Sequence, residues 1–170
     1  PWVISGGPAA TLNPEIIAPF MDLIVIGEAE KVFPLILALW KEGEEKGESR
    51  EEKKRILGKI PGVYIPSGIH PIYQQGELRG FEEEENFSFP IQRQWVNINE
   101  FETRTFIYTP FSYFQDASLV EISRGCRYHC SFCAGRSIYH PLRQRSLELV
   151  EKMIDHVYPW SSKIGLVGAD

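Results

Sequence analysis

Cysteine is scarce, with three residues in 170, and the three crowd into one short stretch instead of spreading along the chain in pairs. That excludes a scaffold stapled by disulfides. Long apolar runs are missing too. The longest, over 33–40, falls far short of the roughly 18 residues that span a bilayer, which excludes the membrane-spanning classes. No basic stretch leading into an apolar one opens the chain as a secretory leader would. Positive charge is in deficit as well: the formal net charge of −5 disfavours a nucleic-acid partner held by phosphates alone, while leaving room for a local basic strip. No internal repeat is found. What remains is 43% apolar and 24% charged, a globular composition and not a disordered one. Three closely spaced thiols point to a metal or cluster site in a reducing compartment, the cytoplasm.

The first 45 residues read as α/β. Trp2-Val3-Ile4-Ser5 is an apolar run that breaks at Gly6-Gly7-Pro8, as a buried strand ending in a tight turn does. Residues 23–26 repeat the pattern and close at Gly27. Between them, Asn13-Pro14-Glu15 predicts a helix start, with an Asn cap, proline in the first turn and an acid favoured by the dipole. The spacing of Val32, Phe33, Ile36, Leu37 and Trp40 predicts a helix over 28–41 with these residues on one face. Pro34 then belongs in the first turn, and Gly43 supplies the stop. Strand, helix, strand, helix predicts a parallel sheet, with Gly6-Gly7 and Gly27-Glu28 at the carboxyl edge where open α/β sheets bind ligands.

The middle is a charged connector. Residues 42–55 are dense in Glu and Lys, and Ser49 is placed to cap a short helix ending at Gly58. Val63-Tyr64-Ile65 and Ile72-Tyr73 predict a small hairpin. Five aromatics over 106–114 are expected to pack this connector onto a domain. The end of the chain returns to α/β. Residues 119–122 read as a strand running into Ser123-Arg124-Gly125-Cys126, and 164–167 as a strand closing at Gly168. Between them Ser146 caps a helix with Leu147, Val150, Ile154 and Val157 as its apolar stripe, stopped by Pro159. The two strands are expected to lie adjacent and parallel.

The chemistry sits at Cys126-x3-Cys130-x2-Cys133. Thiolate is the ligand that iron–sulfur clusters and zinc prefer. A structural zinc wants four protein ligands, so His129 or His140 would have to complete a Cys3His set; His129 adjoins Cys130 and is the worse placed. Three ligands on one loop also suit a cubane with one iron left open.

Cys126-Arg127-Tyr128-His129-Cys130-Ser131-Phe132-Cys133 resembles the C-x3-C-x-aromatic-C motif of the radical S-adenosylmethionine (radical SAM) superfamily, at every defined position. The flanks, Glu121-Ile122-Ser123-Arg124-Gly125, Cys133-Ala134-Gly135 and Tyr139-x-Pro141-x-Arg143-x-Arg145-Ser146, are similar to radical SAM proteins with an N-terminal cobalamin-binding-type domain. Gly6-Gly7, Asp22 and Gly27-Glu28-Ala29-Glu30 extend that likeness to the start of the chain. The resemblance implies a Rossmann-like tail over 1–45, a charged insertion and connector over 46–117, and the first βαβ of a partial (βα)6 TIM-like barrel over 118–170. It implies a 4Fe–4S cluster on Cys126, Cys130 and Cys133, with SAM bound at the open iron and cleaved reductively to a 5′-deoxyadenosyl radical. Phe132 would pack near the adenine, Gly168-Ala169-Asp170 would stand where the superfamily binds the SAM amino group, and Arg143 and Arg145 would meet a SAM carboxylate or an anionic substrate. Asp170 departs from the usual Glu there. A flavodoxin or ferredoxin would supply electrons, and the substrate is unknown.

Gly6-Gly7 would leave room for a cofactor. The D-x-H-x-x-G and S-x-L motifs of cobalamin domains do not occur, and related methylthiotransferases lack cobalamin, so that cofactor stays open. Six βα units take roughly 190 residues, whereas 127–170 hold one unit and the next strand. The chain is therefore expected to be an internal piece of a larger enzyme, inactive alone. The alternative is a non-catalytic metal module with a Cys3His zinc or an electron-transfer cluster.

Overall fold

Strand β2 (Leu23–Val25) is apolar at every position because both its faces are covered. It pairs in parallel with β1 (Ile4–Ser5) and antiparallel with β3 (Val63–Tyr64), giving a three-stranded sheet in the order β1-β2-β3. Alternation along the strand sends Leu23 and Val25 to one face, where they pack with Val32, Ile36, Leu57 and Val63. Ile24 and Ile26 go to the other, with Ala10, Ala18, Tyr64 and Ile69. The structure, a computed structural model, describes residues 1–84, 87, 89–114 and 116–168. It divides into two units, 1–96 and 97–170, and is mixed α/β.

Several expectations for the first unit change on folding. The segment after β1 is not one helix capped at Asn13. It is α1 (Pro8–Leu12) followed by 3-10 turns at Pro14–Ile16 and Ala18–Phe20, because Pro14 and Pro19 cannot donate to a continuous helical ladder. Helix α2 (Val32–Glu45) starts later than 28 and runs past Gly43, with Pro34 in its first turn. Gly43 is buried mid-helix and stops nothing. A Cβ there would meet Glu48 Oε2 at 2.7 Å and Lys53 Cγ at 2.8 Å, so its lack of a side chain lets α3 (Arg50–Leu57) close on α2. Lys53 crosses this contact to ion-pair with Glu44. Ser49 caps α3 in a full capping box with Glu52, as the sequence predicts. The apolar face of α2 divides: Val32 and Ile36 are buried, while Phe33 and Leu37 stay exposed.

Val63-Tyr64 does not form a hairpin with Ile72-Tyr73; it joins the main sheet. The hairpin is instead β4 (Ile69–Gln74) with β5 (Glu77–Glu83), turning at Gln75-Gly76 with both residues at positive φ.

In the second unit, β6 (Ala117–Glu121) and β9 (Lys163–Val167) lie side by side and parallel in the register Ala117↔Lys163 to Glu121↔Val167. Helix α5 (Leu147–Val157) connects toward β9 and buries Met153 and Val157 against Val120, with Val150, Ile154 and Ile164 beside them. Ser146 caps it, accepting from the Leu149 amide at 3.3 Å. Leu147, at its first position, stays exposed, and Met153 takes its expected place in the core. On the other side of β6, Thr105 N donates to Leu119 O and Glu121 N to Thr103 O, so 103–105 covers that edge. Of the aromatics of 106–114, Tyr108 stacks on Trp160 at 6.2 Å and accepts from Ser118 Oγ at 3.1 Å, while Phe106 and Phe114 stay exposed. Phe111 and Tyr113 are each 94% exposed.

Candidate functional site

The cysteine loop leaves the carboxyl end of β6. Directly after Glu121, β7 (Ser123–Arg124) pairs antiparallel with β8 (Arg143–Gln144), so the excursion over 125–142 is closed at its base by a two-residue clamp. Gly125 sits at φ +99, and a Cβ there would run into the carbonyl oxygens of Tyr139 and Pro141. Only glycine fits where the two ends of the loop touch. Beyond it the chain turns through Cys133 N to Cys130 O at 3.1 Å and enters the short helix α4 (Gly135–Tyr139).

Beneath the clamp lies a charge network. Arg145 has a wholly buried side chain. Its guanidinium donates to Ile98 O, to Phe101 O at 2.5 Å, to Thr103 Oγ1 at 2.8 Å and to the Glu121 carboxylate. Arg124 forks onto the same carboxylate with two bonds of 2.9 Å. Burial pushes the Glu121 carboxyl up, but the guanidiniums of Arg124 and Arg145 outweigh it and hold the group below the usual carboxylate range. Arg145 is thus turned into the interior, where it fixes the root of the loop, and not out toward an anion. Arg143 stands on β8 beside the loop, its Nε 3.5 Å from Pro141 O.

The three thiols are free of disulfides; Cys126 is half-buried, and Cys130 and Cys133 are exposed. The Cys126 sulfur accepts from the Tyr128 amide at 3.4 Å. Phe132 is 91% exposed between the last two cysteines. The rings of His129 and His140 lie 4.6 Å apart. Among the described residues no three His, Cys, Asp or Glu side chains converge as a metal-holding group. The donor set suits an iron–sulfur cluster: soft, uncrosslinked thiols, accessible, with a backbone donor on one sulfur.

At the carboxyl end of β9, Gly168 lies so close to Ser123 that a Cβ would meet its Oγ. Ile122 N donates to Val167 O at 2.8 Å. The end of β9 and the start of the cysteine loop therefore share one rim. Ala169 and Asp170 lie outside the described residues. At the opposite end of these strands, Lys163 pairs with Asp116 at 3.0 Å, and Ser161 donates to Asp116 O.

In the first unit Gly6-Gly7 and Gly27 follow β1 and β2 at the same edge of the parallel pair. Gly7 has φ +89 and open space around it, whereas the space beside Gly27 is taken by the Gln94 backbone, which bridges it. Asp22 accepts from Val3 N at 2.8 Å and from Arg50, a structural tie between β1 and α3.

Sequence reasoning missed the Glu121–Arg145 network: it reads Arg145 as an anion-binding residue and Glu121 only as part of the motif's flank. The signal that could have found it was their position at the two feet of the cysteine loop.

No helix among the described residues is long and apolar enough to cross a membrane. No solved structure matches the chain. An uncharacterized protein of Methanocaldococcus jannaschii is 25% identical over 146 residues, which cover 85% of this chain and 26% of that protein. The chain thus spans about a quarter of the length of this curated relative. Residues 1–66 match the family model for the N-terminal part of radical SAM proteins, and over that stretch the chain is similar to them.

Proposed function

We propose that this chain is part of a radical SAM enzyme, carrying the tail of a Rossmann-like domain and the first βαβ of the catalytic barrel. The observation that carries the reading is the C-x3-C-x-Phe-C loop at the carboxyl end of β6, beside β9, the rim where barrel enzymes place their chemistry. The match over 1–66 supports it from a separate part of the chain. Cys126, Cys130 and Cys133 would hold a 4Fe–4S cluster, which when bound supplies the electron that cleaves SAM to a 5′-deoxyadenosyl radical.

The chain's own residues divide the remaining work. Phe132 would present a ring to the adenine, Arg143 would offer a cation beside the loop, and Ala169-Asp170, after Gly168 at the end of β9, would meet the SAM ammonium. Arg145 and Glu121 would hold the root of the loop whose three cysteines carry the cluster. Gly6-Gly7 remains the candidate backbone approach for a cofactor, cobalamin or another. An electron donor of flavodoxin or ferredoxin type, and a substrate of unknown identity, complete the scheme.

Anaerobic reconstitution with iron and sulfide tests the reading. Four irons and four sulfides per chain are expected, lost on replacing any one of the three cysteines by Ala and kept in His140→Ala. One zinc per chain without sulfide, lost with His140, would instead establish the Cys3His module that the His129–His140 contact allows.

A further inference from the structure

The first unit contains a cavity of about 260 Å3 on the α1 face of the sheet, next to Ile26 just past the end of β2. Ile26, Ile69, Ile91 and the tilted ring pair Phe81–Phe89, 5.2 Å between centroids, make its walls. Three polar side chains interrupt them, Thr11, Glu15 and Tyr64, of which Thr11 Oγ1 already accepts from Gly27 N at 3.0 Å. The hydroxyl of Tyr64, a residue only 3% exposed, donates to Glu15 Oε1 at 2.6 Å. We infer that this cavity is a binding site for a one-ring aromatic amine in its cationic form, with Glu15 as the residue that selects the charge.

Size comes first. An apolar cavity of about 150 Å3 accommodates benzene, so the larger space here takes a ring with a short arm and excludes a macrocycle such as a corrin. The walls supply flat apolar surface, and the tilted Phe pair offers an edge and a face to a third ring.

Charge comes second. Burial and the Glu15 carboxylate both push the Tyr64 hydroxyl above its ordinary range, so the phenol keeps its proton and stays a donor to Glu15. A carboxylate has about four lone-pair sites, and Tyr64 takes one. A neutral ligand would cover the carboxylate without replacing its water, and an anion would be repelled. An ammonium on a short arm restores the lost hydration through a charge-assisted bond, about twice as strong as a neutral one. The location agrees with where open α/β sheets bind ligands. None of this depends on a cluster at the cysteine loop.

The 170-residue chain is titrated with phenethylamine and, separately, with its uncharged analogue phenethyl alcohol, following backbone amide shifts by NMR. Saturable shifts centred on residues 11, 15, 64 and 69 are expected, with the alcohol at least tenfold weaker. In Glu15→Gln the amine should weaken at least tenfold to the level of the alcohol, with the remaining spectrum preserved. Tyr64→Phe keeps the ring and leaves Glu15 to the ligand, so amine binding should be equal or tighter. Should the Gln variant not fold, this second variant decides: loss of amine binding in it overturns the inference. Equal affinity for amine and alcohol, undiminished binding in a folded Glu15→Gln, or absence of shifts at millimolar amine also overturns it.

Discussion

At the scale of single residues, Arg145 and Glu121 carry the largest concentrated risk. The Arg145 guanidinium is fully enclosed and binds Glu121 together with Ile98 O, Phe101 O and Thr103 Oγ1. Removing one partner of a buried ion pair leaves the other charge without compensation, which costs about 3–5 kcal/mol. Glu121→Ala is therefore expected to destabilise the second unit by that order, read as faster hydrogen exchange at the β6 and β9 amides. Replacing the pair by apolar residues, Glu121→Leu with Arg145→Met, should recover only part of the loss. Neither charge of the pair remains in that variant, but the Ile98 and Phe101 carbonyls lack their donor and Arg124 loses the carboxylate it forks onto. A cysteine loop whose root is held this way keeps its two ends in register while its exposed middle adjusts.

At the scale of elements, two glycines separate conformational strain from steric collision. Gly7, before α1, and Gly125, before the cysteine loop, both have φ near +90. Around Gly7 a Cβ meets nothing, whereas at Gly125 it collides with Tyr139 and Pro141 carbonyls. Gly7→Ala should cost only the strain of a backbone region that is essentially glycine's alone, about 1–3 kcal/mol. Gly125→Ala should cost more and also open the β7–β8 clamp, which faster thiol labelling at Cys126 would report; equal costs for the two variants would contradict the contact. The short element β7–β8 matters here out of proportion to its size, because it turns an 18-residue excursion over 125–142 into a closed loop.

At the scale of the whole molecule, acid stability follows from carboxylates held by cations in both units. In the second, Lys152 at Glu102 outweighs the opposing effect of burial, with Arg104 and His156 assisting, and lowers the carboxyl from 4.5 to about 2. A carboxyl depressed in the folded state binds fewer protons there than in the unfolded chain. Its contribution is complete above pH 4.5 and is lost as pH falls from there toward 2. In the first unit Arg50 and the Val3 amide outweigh burial at Asp22 and act in the same sense. Stability measured by circular dichroism across that window should fall with pH, and Glu102→Gln should flatten the fall. Lys152 is 60% exposed, so added salt should reduce the effect.

What the sequence by itself determined about this protein is local. The thiol spacing picks out three candidate metal donors, Ser49 and Ser146 mark two helix starts because a cap acts within one turn, and the apolar run of β2 announces a strand covered on both faces. The parallel pairing of β6 with β9 follows from the helix between them. Tertiary structure alone decided the rest. Arg145 finds its partners 24 to 47 residues away, and no local pattern records that its charge will be enclosed. Gly43 has the look of a helix stop until Lys53 packs against it. Val63-Tyr64 joins β2 and not β4, because the apolar face of β2 offers more burial than a hairpin does. The aromatics of 106–114 stay exposed for the same kind of reason: apolar side chains are buried only where another element arrives to cover them, and that is settled by contacts distant in sequence.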